Sequence, residues 1–174
     1  MEKEIKILDI KPEEICATLE SLGAKKVFDA NRIITHYDTR DGKFAEEEKR
    51  IKITKEDGIK LTVTSNVGSD TSEEVKTKVG EEIDGILQKL HLRPIAEVTA
   101  RRISYEWGVI DFDIDYFPGI PPFLEVDVSS VEDVDGLMEK FGLVSAERRV
   151  MGTPEIFTFY GKNYFSEFKV PFRA

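Results

Sequence analysis

A chain of 174 residues with 34 Asp and Glu against 25 Lys and Arg has a net charge of −9, which argues against non-specific binding to nucleic acid or an anionic membrane. Apolar content of 40% beside charged content of 34% fits one globular, charge-rich domain over residues 1–174, large enough to bury a substantial core. A lone cysteine, Cys16, excludes an internal disulfide; no apolar run reaches membrane-spanning length and no signal peptide precedes the charged start, so a cytoplasmic protein is expected.

Residues 2–8 read as the first strand. Glu2, Glu4 and Lys6 stand at alternate positions with Ile5 and Ile7 beside them, so one face carries two carboxylates and an ammonium. Adjacent carboxylates resist joint ionisation unless a cation neutralises them, which makes this strand a candidate metal-binding wall. The same alternation is also common on solvated strand faces. Pro12 opens a helix whose apolar stripe is Ile15, Leu19 and Leu22, and Gly23 closes it. Cys16 falls on its apolar face and reads as a buried, inert thiol.

Residues 33–39 predict a strand, followed by an Asp41-Gly42 turn. Residues 49–55 and 59–65 alternate and are joined by Glu56-Asp57-Gly58, a hairpin signal. The polar stretch from Asn66 to Ser72 reads as a loop, 73–79 as a strand, and 81–91 as a helix with Ile83, Ile86, Leu87 and Leu90 inward. Residues 95–107 and 109–116 predict a long hairpin turning near Trp107-Gly108. A rigid connection from Pro118 to Pro122 leads to a strand at 123–129 and a helix at 131–141. The aromatic tail from 154 to 170 reads as strand or irregular packing, its rings serving as core or dimer contacts. Strands joined by hairpins outnumber helices, which predicts an antiparallel α+β domain.

Nearly every strand has one charged and one apolar face. Acids cluster at positions 2 and 4, at 111, 113 and 115, and at 125 and 127; bases cluster at 50, 52, 60 and 102. An open sheet with helices on its apolar side fits this pattern, and so does a closed barrel with a charged interior. Periodicity does not separate them. The segregation of acids from bases suits a pocket holding a polyanion and its metal ions. His36 and His91 lie on different elements and form no zinc pair. No phosphate-binding Gly-rich loop is present.

The opening Met-Glu-Lys-Glu-Ile-Lys resembles the Glu-x-Glu-x-Lys signature of the CYTH superfamily, the triphosphate tunnel metalloenzymes. Tyr37-Asp38-Thr39, Lys49-Arg50-Ile51-Lys52, Arg101-Arg102, Asp115 and Phe123-Leu124-Glu125-Val126-Asp127 resemble its later motifs in the same order. The start and the Pro-Phe-Leu-Glu-Val-Asp segment look most like the subgroup placed with class IV adenylyl cyclases. The resemblance implies an eight-stranded antiparallel closed β-barrel, a tunnel, with helices packed outside. It implies Mg²⁺ or Mn²⁺ held by Glu2, Glu4, Glu74, Asp115, Glu125 and Asp127. It implies phosphate held by Lys6, Arg50, Lys52 and Arg102, with Glu2, Glu4 and Lys6 at the centre of catalysis; Lys60 and Lys76, on the same faces, are further phosphate candidates. Hard oxygen ligands suit those ions, and Arg and Lys suit phosphate.

The expected function is metal-dependent hydrolysis of tripolyphosphate or an organic triphosphate, with a small-molecule partner and a homodimer left open. Cyclisation of ATP to cyclic AMP and non-catalytic binding of a phosphate ligand are the alternatives. The last is motivated by departures from the family pattern. Thr64, Ser72 and Ala100 stand where the family carries cations, and Lys76 stands where it carries a carboxylate. Lys60 and Lys76 are long enough to reach across a tunnel and offset part of that loss.

Overall fold

The computed structural model describes residues 3–67, 72–128, 132–142 and 147–171. In chain order the elements are β1 (Lys3–Ile7), α1 (Pro12–Ser21), β2 (Lys25–Thr39), α2 (Lys43–Glu46), β3 (Arg50–Glu56), β4 (Gly58–Ser65), β5 (Glu73–Val79) and α3 (Ile83–Lys89). Then follow β6 (Leu92–Trp107), β7 (Ile110–Tyr116), β8 (Phe123–Val128), α4 (Glu132–Lys140), β9 (Arg148–Arg149), α5 (Thr153–Phe159) and α6 (Tyr164–Glu167). The order of hydrogen-bonded strands is β5-β4-β3-β2-β6-β7-β8-β1-β9. This corrects the expectation of an eight-stranded closed barrel: among the described residues the sheet has nine strands and is open. Closure needs the two outermost strands to pair with each other. Instead the ladder ends at β5 on one side, while two-residue β9 takes the second edge of β1.

The chain forms two compact units, residues 1–31 with 100–151, and residues 32–99 with 152–174. In the first, the apolar sides of β1, β6, β7 and β8 meet α1 and α4 in a core that includes Ile5, Ile7, Ile15, Leu19, Tyr105, Phe112, Leu124 and Leu137. Pro12 starts α1 at its first helical position, where a missing N–H costs nothing. Cys16 packs half-buried at the margin of this core. Tyr105 donates to Glu20 at 2.8 Å, and the Trp107 indole donates to the Leu22 carbonyl at 3.0 Å, tying β6 to α1 and its C-terminus.

In the second unit, Tyr37, Ile51, Ile53, Ile59 and Leu92 pack against Ile83 and Leu87 of α3. The β3–β4 hairpin turns through Asp57 to Gly58, whose φ of 93° favours glycine. The tail from 154 to 170 forms two short helices. Phe157 and Tyr164 are buried there, and both Phe157 and Tyr164 pack edge-on against Phe168. Val170 donates to Ile95, which fastens the tail to β6. The alternating aromatics suggested a strand; their spacing of three and four also fits one face of a short helix, and packing decides.

Asp38 fixes the turn that leads into β3. Its buried carboxylate accepts the backbone N–H groups of Thr39 at 2.6 Å, Phe44 at 3.0 Å and Ala45 at 3.2 Å. Asp38→Ala would orphan these donors and is expected to cost about 2–3 kcal/mol in denaturant unfolding. A loss below about 0.5 kcal/mol would show that water replaces the carboxylate.

Candidate metal and phosphate-binding faces

In the first unit the register stacks charged residues on one face. Glu4 pairs with Asp127, which pairs with Asp111; Lys6 pairs with Glu125, which pairs with Asp113 and then Ser104; Arg102 pairs with Asp115. Directly paired residues share a face, so four strands aim their polar side chains together. Carboxylate oxygens of Glu4, Glu125 and Asp127 lie within 4.8 Å of one another. Glu2 lies outside the described residues.

Two cations, the buried Lys6 and the half-buried Arg102, organise these acids. Lys6, only 1% exposed, donates to Glu4 at 3.0 Å and Glu125 at 2.8 Å. Burial opposes its charge, but Glu125 and then Glu4 outweigh burial and hold its pKa above the ordinary lysine value. Arg102 grips Asp115 through two bonds, at 2.8 and 2.6 Å, also bonds Asp113, and stands 3.5 Å from Glu125. Its pKa too is raised well above the usual value: burial opposes the charge, and Asp115 and Glu125 overcome it. Asp113 is shifted upward, chiefly by burial, against the pull of Arg102. Lys6 thus meets Glu4 and Glu125, and Arg102 meets Asp113, Asp115 and Glu125. The clustered carboxylates of Glu4, Glu125 and Asp127 are hard oxygen donors of the kind a divalent cation such as Mg²⁺ takes.

In the second unit the shared charged face runs across β2, β3, β4 and β5. Arg50 faces Thr64, which faces Glu74; His36 faces Lys52, Thr62 and Lys76 in turn. Lys60 bonds Glu56 at 2.5 Å. Glu74, expected as a metal ligand, stands 2.7 Å from Lys76 and 3.8 Å from Lys52, and accepts from Thr64 at 3.2 Å. Arg50 bonds Glu155 of α5 at 2.8 Å and lies over the Phe165 ring. Of the departures from the family pattern, Ser72 is exposed and Ala100 is buried, so neither supplies a cation.

Several residues of these faces were missed from sequence. Arg149 pairs with Lys6 across the β1–β9 ladder, and only the basic pair Arg148-Arg149 hints at it. Asp113 was legible as part of the acidic alternation, but its contact with Arg102 was not. Glu155 carries no local pattern that points to Arg50.

The CYTH domain family model matches residues 1–152. The chain belongs to the CYTH domain family. No curated protein sequence matches it significantly. A candidate adenylate cyclase from Vibrio parahaemolyticus superposes with a TM-score of 0.74 at 17% identity, covering 90% of this chain and 97% of its own. A candidate adenylyl cyclase from Hippeastrum with a dominant triphosphatase activity superposes with a TM-score of 0.65 at 15% identity, covering 92% and 95%. A protein from Pyrococcus horikoshii reaches a TM-score of 0.68 at 18% identity, covering 84% and 94%. At these identities the likeness establishes the fold of this CYTH domain. No helix among its described residues is long and apolar enough to cross a membrane.

His36 gives the second unit a pH signature. It is buried, packed edge-on to Tyr164 and Phe165. Burial, reinforced by Lys52 and Arg50, holds its pKa well below the usual 6.5. The unfolded chain therefore binds a proton below about pH 6.5 that the folded protein refuses, so acidification destabilises. Relative to His36→Phe, the protein is expected to lose up to about 1.4 kcal/mol per pH unit below that point, read by denaturant unfolding from pH 7 to 5. Parallel curves for the two proteins would contradict a neutral buried imidazole.

Proposed function

We propose that this protein is a divalent-metal-dependent phosphohydrolase acting on tripolyphosphate or an organic triphosphate. The observation that carries the reading is the cluster of Glu4, Glu125 and Asp127, whose carboxylate oxygens lie within 4.8 Å of one another. Membership of the CYTH family and the triphosphatase activity of the Hippeastrum protein support it. Glu4, Glu125 and Asp127 would hold Mg²⁺ or Mn²⁺, with Glu2 beside them in sequence. When bound, the ion would draw negative charge from phosphate oxygens and ease attack by water.

The remaining roles follow from how far solvent reaches each cation. Lys6 and Arg102 are enclosed by carboxylates, so they set the positions of those acids and limit their repulsion. Asp115 serves as the bidentate holder of Arg102. Arg50, Lys52, Lys60 and Lys76 are the more accessible cations and take the phosphate oxygens; Glu74 lies among them as a counter-ion. The substrate is a small molecule, and the protein acts in the cytoplasm.

The test is phosphate release from tripolyphosphate, thiamine triphosphate and ATP with Mg²⁺ or Mn²⁺. Release is expected to cease with chelator and to fall at least about 100-fold in Glu4→Gln. Equal, slow release by both proteins would refute hydrolysis at this cluster. Formation of cyclic AMP from ATP without free phosphate would assign the cyclase reaction instead.

A further inference from the structure

We infer that Glu155 is a positioning residue for Arg50, with Gly152 leaving room for the pair; the inference rests on the reading of Arg50 as a phosphate-binding group. Arg50 donates one Nη2 hydrogen bond to Glu155 Oε1 at 2.8 Å. Its guanidinium carbon lies 5.8 Å from the centre of the Phe165 ring. A guanidinium carries five N–H groups in a rigid fork. Glu155 holds one of them and Phe165 covers the plane, so the others stay oriented for a planar or tetrahedral oxyanion. Arg50 is thereby held in one rotamer before a ligand arrives, which lowers the entropy lost on binding.

Gly152 leaves the space that the Glu155 carboxylate occupies. A Cβ at this position would stand 2.6 Å from Glu155 Oε2 and 3.2 Å from Arg50 Nη1. Its backbone, at φ −76° and ψ 166°, is one that any residue adopts, so the glycine supplies space and not conformation. Glu155 Oε2 is buried with no hydrogen-bond partner among the described residues. Pro154 precedes it at the start of α5 and restricts the backbone there. A counter-ion carried on that backbone and bonded to Nη2 orients the guanidinium.

Calorimetric titration with tripolyphosphate in the presence of chelator tests this without turnover. Arg50→Ala is expected to weaken binding. Glu155→Ala is expected to weaken it about tenfold, and Glu155→Gln, which keeps an acceptor of the same shape, to recover most of that loss. Gly152→Ala is expected to weaken binding although both partners remain. In the Arg50→Ala background, Glu155→Ala should add nothing. Thermal unfolding of each variant reports whether α5 has been lost. Tighter binding by either Glu155 variant would make the residue a competitor and overturn the inference. So would unchanged affinity with a lowered Tm, which would leave Glu155 only a structural part of α5. If Arg50→Ala leaves affinity intact, or the parent protein binds no tripolyphosphate, the phosphate reading of Arg50 falls first, and the inference with it.

Discussion

Lys6 is the charge on which the first unit depends. A buried ammonium is costly unless its partners are close and numerous, and here two carboxylates meet it on the β1–β8 ladder. The dependence runs in both directions. Without Lys6, Glu4 and Glu125 would lose the cation that both of them meet. Arg102 serves Asp113 and Asp115 in the same way one row away. Together the two cations make it possible to gather Glu4, Asp113, Asp115 and Glu125 on one sheet face.

The cations divide into two kinds. Those of the first unit are enclosed and spent on carboxylates, whereas Lys52, Lys60 and Lys76 keep a third to a half of their side-chain surface in solvent. Arg50 stands between these extremes, at 19% exposure. It is shielded by an aromatic ring and bound on one edge, yet open on the other. A position of that kind gives directionality that a flexible lysine lacks.

Much of this was legible because period-two alternation fixes which side chains share a face, and charge made the faces conspicuous. The Glu4–Lys6, Asp111–Asp115 and Glu125–Asp127 strands were placed within a residue or so. Alternation does not reveal how a sheet ends, so closure was misjudged. Nor does it reveal pairing across rows: Asp115 reads like any acid in its strand until Arg102 is seen to claim both oxygens. The stretch Lys25–Asn31 escaped because its polar and apolar residues do not alternate regularly; it extends β2 and is partly held there by Arg101 on Asp29. The tail misled for a related reason, since aromatic residues favour strands intrinsically but follow tertiary packing when a core is offered.

The open end of the sheet at β5 has its own consequence. An outermost strand presents backbone donors and acceptors to any other extended chain, and a flat apolar one would recruit copies of itself. β5 carries Glu73, Glu74, Lys76 and Lys78 within seven residues, with exposure on nearly every position. Adding another strand there would strip water from those charges and set like against like in several registers. The same residues that furnish part of the polar face therefore also guard the protein against polymerising through its own edge.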